Sequence, residues 1–292
     1  MRQFKIALFI AAVLSIAGCA TVDKTADAPG KENTASAVQK DAIEKVQVKQ
    51  TVYIPNVVKE VNFYNDGYIE SYISYTYDED MTLIREDLFD SFDQILESAV
   101  YEKAAGNEVN RLLYNSRGTL QSSLETISTS SGLPEIVSSF DAEGGLQTSS
   151  EFEYDVDGNK IKWTVADGAG VVLSETVYIY EDGFPVKIEI YDAGRKMQEY
   201  FTLEYSDGLL SSKNHVDADG KMKSGTEYGY EGGVLISEKY LRPNGSTYRT
   251  VKLTNDEHGN PVKEEHFDGN GDLKDWLERE YEYSTEEILV WE

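Results

Sequence analysis

Glycine-ended turns recur along this chain at an interval that leaves room for one short strand and nothing longer. From Phe152 onward they close at Gly158, Gly170, Gly183, Gly194, Gly208, Gly220, Gly233, Gly245, Gly259 and Gly271, 11–14 residues apart. Taken two at a time the spacing settles at 24–26 residues. A strand with its turn fills the first interval and a hairpin the second. Two turn classes alternate. One reads Tyr154-Asp-Val-Asp-Gly158, Tyr180-Glu-Asp-Gly183, Tyr205-Ser-Asp-Gly208 and Tyr230-Glu-Gly-Gly233. The other reads Asp167-Gly-Ala-Gly170, Asp192-Ala-Gly194, Asp217-Ala-Asp-Gly220, Pro243-Asn-Gly245 and Asp268-Gly-Asn-Gly271. Asp-Gly and Asn-Gly suit hairpin turns, because the central positions take positive φ.

The runs between turns alternate as half-buried strands do. Ile161, Trp163 and Val165 share a face, as do Val186, Ile188 and Ile190. Met197, Phe201, Leu203 and Tyr205 share another, with Glu199 as the exception. Lys162, Lys187 and Glu189 point the other way. The same spacing reaches upstream through Tyr64-Asn-Asp-Gly67, Gly106, Gly118, Gly132 and Gly144, with Asp80 and Asp93 marking glycine-free turns. Leu88, Phe92, Ile95, Leu96 and Ala99 also fit a helical stripe within residues 84–104, but the register of the neighbouring turns favours strand.

The fold class is therefore all-β: a long antiparallel hairpin meander of about 18 short strands between residues 51 and 284, with a hairpin repeat of about 25 residues. Twist accumulates in so wide a sheet, which predicts a coiled or rolled body that covers its apolar face. A transmembrane barrel wants strands of about 9–11 residues and an outward apolar band. The short interval and the charges spread through every run argue against it.

These turns resemble the tyrosine-aspartate repeats of Rhs-type proteins. The matching residues are Tyr154-Asp155 with Gly158-Asn159, Tyr191-Asp192 with Gly194-Arg195, and Phe267-Asp268 with Gly271. The resemblance spans roughly residues 60–283 and implies a β-hairpin array. It carries over no toxin and no glycan site, and the large terminal cargo of such proteins is lacking. The array is also similar to lipid-anchored outer-surface proteins built on a single-layer sheet.

The chain opens differently. Arg2 and Lys5 precede an apolar run from Ile6 to Ile16, which is too short to span a bilayer and fits a secretory signal over residues 1–18. Ile16-Ala17-Gly18-Cys19 resembles the lipobox of bacterial lipoproteins. That likeness implies diacylglycerol on the Cys19 thiol, cleavage before it, and a stable membrane anchor. Cys19 is the sole cysteine, so no intramolecular disulfide can form. Ala20 follows in place of Asp, which leans toward the outer membrane. Residues 19–50 are free of aromatics and read as the lipidated N-terminus and a disordered tether, residues 51–284 as the array, and residues 285–292 as a C-terminal tail.

Charge narrows the partners. The chain holds 27 Lys and Arg against 53 Asp and Glu, for a net charge of −26. Loss of residues 1–18 removes Arg2 and Lys5 and takes the balance to about −28. Nucleic acid is excluded, since its binding rests on cationic side chains. No Gly-x-Ser-x-Gly elbow, His-Glu-x-x-His motif or phosphate loop is present. His258 and His266 form a conceivable metal pair, and His215 stands apart; all three read better as scattered surface residues. Asp155, Asp157 and Asn159, like Asp268, Asn270 and Asp272, offer alternate oxygens to calcium. The sixth and twelfth positions of an EF-hand loop fall on Lys160 and Ala166 or on Leu273 and Arg279, and both fail.

The expectation is a non-enzymatic envelope lipoprotein without cofactor or metal. It is held to the outer membrane through Cys19 and acts as a binding or scaffolding module for an envelope or extracellular protein or glycan. An envelope glycan hydrolase using paired carboxylates and a structural or immunity partner of another repeat protein stand as alternatives.

Overall fold

The computed structural model describes residues 47–104 and 106–291, with backbone alone at 47–50 and 288–291. The expected signal, Cys19 and most of the tether lie outside the described residues. Eighteen strands follow one another: β1 (Gln47–Tyr64), β2 (Ile69–Tyr77), β3 (Leu83–Asp90), β4 (Ile95–Lys103), β5 (Glu108–Asn115), β6 (Leu120–Ser128), β7 (Pro134–Asp141), β8 (Leu146–Tyr154) and β9 (Lys160–Asp167), then β10 (Val172–Glu181), β11 (Phe184–Asp192), β12 (Met197–Ser206), β13 (Leu209–Asp217), β14 (Met222–Glu231), β15 (Val234–Leu241), β16 (Thr247–Asn255), β17 (Pro261–Asp268) and β18 (Leu273–Trp291). The stretch with the helical stripe is β3, a turn and β4. The stretch set aside as a tail continues β18.

The sheet does not stay open. Each strand pairs antiparallel with its neighbours in sequence, and β1 pairs with β18 from Gln47↔Trp291 to Tyr64↔Asp275. The coiled or rolled sheet expected from the repeat is thus a closed 18-stranded β-barrel. The cause lies in the bulges. Every pairing except β4–β5 carries a register shift. A bulge bends its strand and adds right-handed twist. Repeated around the sheet, it brings the first edge to the last, and their pairing removes both open edges. Eighteen strands tilted at about 40° make a cylinder about 35 Å across between backbone centres. No strand contacts any but its two neighbours, so the described barrel is hollow.

β1 and β18 outrun the wall. Their lengths are 18 and 19 residues, against 8–10 elsewhere. β2 takes up β1 only from Lys59, and β17 takes up β18 only as far as Glu278. Beyond those points the two strands run on as a ribbon at one rim. It leans on the β16–β17 turn, where the Tyr53 ring stacks on His258 at 4.4 Å and the Tyr283 hydroxyl bonds the Asp256 carboxylate.

Two backbone types occur, and Tyr154-Asp-Val-Asp-Gly158, grouped by sequence with the Tyr180, Tyr205 and Tyr230 turns, takes the wider one. At Asp182-Gly183, Asp207-Gly208 and Gly232-Gly233 both residues have positive φ, as a two-residue hairpin needs. Elsewhere the loop is a wider turn in which a single residue is left-handed. In the β11–β12 turn that residue is Arg195 (φ 58°) rather than the expected Gly194, and in the β2–β3 turn it is Met81 (φ 58°). In nine of the wide turns the opening side chain completes the turn. One oxygen of Asp78, Asp90, Asn115, Asp155, Asp167, Asp192, Asp217, Asp256 or Asp268 accepts the N–H groups two and four residues on.

Strand register sorts the side chains into two faces. On one face lie Ala99, Ile188, Leu203, Val251 and Leu277, all buried. Along β8 the alternation runs from exposed Glu151 and Glu153 to buried Ser150 and half-buried Phe152. Along β16 it runs from exposed Tyr248, Lys252 and Thr254 to buried Val251. Side chains crowd on the concave side of a cylinder and splay on the convex side, so the crowded face lines the lumen. Val61 and Val216 are the buried apolar residues of the outer face.

The repeated tyrosines belong to the lumen face, and they do more than mark turns. Tyr77, Tyr154, Tyr180, Tyr205, Tyr230 and Tyr281 each donate the hydroxyl proton to a carbonyl 20 residues back, at Val57, Pro134, Lys160, Pro185, Leu210 and Pro261. From Tyr154 on, the acceptor is the residue at the bulge of the preceding hairpin, so each phenol staples one hairpin to the last. Asn255 does the same to the Leu235 carbonyl through its amide. The repeat skips two places. Lys103 and Ser128 stand where tyrosines would fall. One such bond contributes about 1 kcal/mol net. Tyr205→Phe should therefore lower stability by about 1 kcal/mol in chemical denaturation. Lys103→Tyr should raise it by a similar amount by reaching the Leu83 carbonyl. If the phenylalanine variant melts like the parent chain, the phenols are packing groups and not staples.

Candidate functional site in the barrel lumen

The lumen wall has two sectors. The first straddles the closure. Arg279 on β18 donates from Nε to Glu60 on β1 at 2.8 Å and from Nη1 to Glu264 on β17 at 2.5 Å. One guanidinium thus ties three strands across the join. His266 sits beside it, with Nδ1 bonded to Asp275 and Nε2 3.8 Å from Glu264. His266 and Arg279 hold the Glu264 carboxyl far below its ordinary 4.5, at about 2. The facing carboxylates of Glu264 and Asp275 raise the His266 imidazole above its ordinary 6.5. A little further round, Tyr101 donates to Glu86 at 2.8 Å, and Arg111 reaches both the Tyr101 hydroxyl and Glu86. Charges here are paired within the wall.

The second sector, β8 to β14, is aromatic. Phe152, Trp163, Tyr178, Phe201 and Tyr228 share the lumen face by register. Phe152 and Trp163 stack at 6.0 Å, and Phe201 stacks on His215 at 4.5 Å. Burial pushes the phenols of Tyr178 and Tyr228 up to about 12. Two cations stand among these rings. Lys160 Nζ lies 4.8 Å from the Tyr178 centroid and 5.6 Å from that of Phe152. Lys213 Nζ lies 4.6 Å from the Phe201 centroid. Such contacts favour the ammonium by about 0.5–2 kcal/mol each. Glu199, the acid on this wall, is engaged by Lys223 at 2.6 Å; His215 Nε2 is 3.0 Å from it but not aligned for a hydrogen bond.

The histidines do not assemble a metal centre. His258 lies in the turn before β17 and His266 near the strand's far end, each with its own aromatic or acidic partners. Among the described residues no group of three His, Cys, Asp or Glu side chains is placed to hold a metal ion. The turn acids also have other work. Asp155 gives one oxygen to the N–H groups of Asp157 and Asn159 and the other to the Asn159 amide. Asp268 caps its own turn in the same way and pairs with Lys274 at 2.7 Å. Alternating acids in this repeat report turn closure, and the sequence offered no signal that their oxygens point inward to backbone donors. No local signal in the sequence marks the staples, the closure cluster or the lysines among rings, because each is assembled from residues on different strands.

The outer face is polar. Lys162 lies 3.0 Å from Glu153 and 3.3 Å from Glu175, and Lys187 lies 2.8 Å from Glu189. Arg85 pairs with Asp87 at 2.7 Å. With Lys59, Lys239, Lys252 and Lys263, lysine occurs mid-strand on six outer positions. Each would cost about 2–4 kcal/mol at a bilayer midplane. The lumen face, with Glu60, Glu86, Glu264 and Arg279, is no better suited to lipid. Among the described residues no helix is long and apolar enough to cross a membrane.

No family model matches the chain, and no curated protein does. Among solved structures it is similar to a porin-like protein from Bacteroides uniformis, at 13% identity and a TM-score of 0.43, over 77% of this chain and 98% of that one. A porin-like protein from Bacteroides vulgatus follows at 12% identity and a TM-score of 0.34, with the same coverage. The Tc holotoxin pore of Photorhabdus luminescens is similar over 72% of this chain and 15% of that one, at 15% identity and a TM-score of 0.27. The barrel described above rests on its own strand register, and these likenesses assign it no activity.

The closure cluster predicts a pH window. A carboxylate with a depressed pKa stabilises the fold above its unfolded value and loses that contribution as pH falls through the folded one. For Glu264 the loss runs from 4.5 down to about 2. A histidine with a raised pKa contributes fully below 6.5 and loses its share as pH climbs through the raised value. The join should be tightest between 4.5 and 6.5. Melting temperature followed against pH should fall on both sides, with Glu264→Gln flattening the acid limb and His266→Gln the alkaline one.

Proposed function

We propose that this chain is a non-enzymatic bacterial envelope lipoprotein. Cys19 carries the lipid and holds the protein at the outer membrane, and the barrel stands in the aqueous phase as a binding module. The observation that carries the reading is the ring of mid-strand lysines and acids on the outer face. A wall so charged favours water over lipid, so attachment falls to Cys19. The lipobox resemblance and the likeness of the hairpins to Rhs-type repeats support the same picture. The hydrolase alternative gains nothing from the lumen. Glu60 and Glu264 share one guanidinium, and the Glu264 carboxyl, held at about 2, is ionised at neutral pH and cannot act as the general acid.

Labelling cells with an alkyne palmitate analogue, followed by detergent phase separation and alkaline extraction of membranes, tests this. The wild-type chain should take up label and enter the detergent phase. Cys19→Ser should be unlabelled and recovered in the aqueous phase as a folded barrel. A Cys19→Ser chain that resists alkaline extraction would mean that the strands themselves cross the membrane, and the reading would fall.

A further inference from the structure

Lys160 and Lys213 are cations set among the rings of the lumen wall. The protein carries a net charge of −26, yet neither lysine has a carboxylate within ion-pair distance among the described residues. Both stand on the lumen wall against aromatic rings. The bulge opposite Tyr154 turns Lys160 inward, onto Phe152 and Tyr178. Lys213 pairs with Leu203 in register, two residues from Phe201. On the outer face Lys162, Lys187 and Lys263 each meet a glutamate, while Lys59 and Lys252 lie over the Tyr72 and Phe267 rings. Surrounding surface desolvates the two lumen ammoniums and depresses both pKa values. An ammonium so placed gains from an incoming anion more than an exposed one does.

We infer that the β8–β14 wall of the lumen binds an acidic oligosaccharide, its uronate carboxylates meeting Lys160 and Lys213 and its sugar rings lying on the aromatic faces between them. This rests on the reading of the barrel as a binding module and names the class of its ligand. Lys160 and Lys213 lie on β9 and β13, four strands apart, or about 19 Å along the wall, within the reach of a short oligosaccharide. The rings of Tyr178 and Phe201 fall between the two strands by register, and Trp163 stands on β9 with Lys160. Their flat faces suit the C–H faces of pyranose rings better than the rotatable stems of an acidic peptide. The hydroxyls of Tyr178 and Tyr228 make no hydrogen bond with another described residue, unlike the stapling tyrosines, and can serve sugar hydroxyls. The hollow interior gives such a chain room to enter along the axis.

Isothermal titration of the purified full chain with tetragalacturonate, maltotetraose and hexaglutamate tests the assignment. Tetragalacturonate should bind, weakening as salt is raised. Lys160→Gln/Lys213→Gln should lose at least tenfold in affinity while keeping the parental circular dichroism and melting curve. Lys162→Gln, on the outer face, should bind as the parent does. No heat with tetragalacturonate, an unchanged double variant, or equal affinity for maltotetraose or hexaglutamate would each overturn the inference. None of these results touches the fractionation of the Cys19→Ser chain, so the ligand and the lipoprotein reading fail separately.

Discussion

Everything in this molecule depends on one non-local pairing, that of β1 with β18. It joins residues more than two hundred positions apart and turns a repetitive ribbon of hairpins into a wall with an inside. Without it the apolar face would lie open to water along its whole length, and two bare edges would invite pairing with other chains. The join is fastened twice over. Backbone hydrogen bonds run the full length of β1, and Arg279 adds a charged clasp across β1, β18 and β17. A guanidinium half-hidden from water and shared between two carboxylates is costly to strand, so the clasp resists opening more than it adds to closed stability.

Closure also explains why the interior has the character it has. A barrel of eight strands fills its core with side chains, whereas one of eighteen cannot. No large side chain here is fully buried. The inner wall is a single layer, wet on its exposed side, and its cohesion comes from neighbour-to-neighbour devices: bulges, capped turns and tyrosine staples. This is the energetics of a repeat protein bent into a ring. The same arrangement frees the lumen from any packing duty, which leaves its rings and lysines available for other work.

Much of the wall was legible in the sequence and almost none of the lumen was. Strand number, hairpin period and turn positions follow from local spacing, since glycine at a left-handed position and aspartate at a turn start act over four or five residues. Ile188 and Phe201 could be put on the covered face by alternation alone. Closure could not, because no local signal at Val57 or Tyr281 announces the other. Tyr180 was read as part of a turn signature, though its hydroxyl bonds Lys160 on the neighbouring hairpin. The turn acids lack an EF-hand's sixth and twelfth residues, and their oxygens face backbone N–H groups. Arg195 shows the limit at finer grain: the left-handed residue sits one place beyond the glycine that marked the turn.

The staples skip Lys103 and Ser128, and β4–β5 is the one pairing without a bulge. Here the wall is tied by other side chains: Tyr101 and Arg111 link β3, β4 and β5 through Glu86, and Ser98 bonds Asp87. Fastening in this arc therefore passes from neutral phenols to charged groups, the kind of tie that salt weakens.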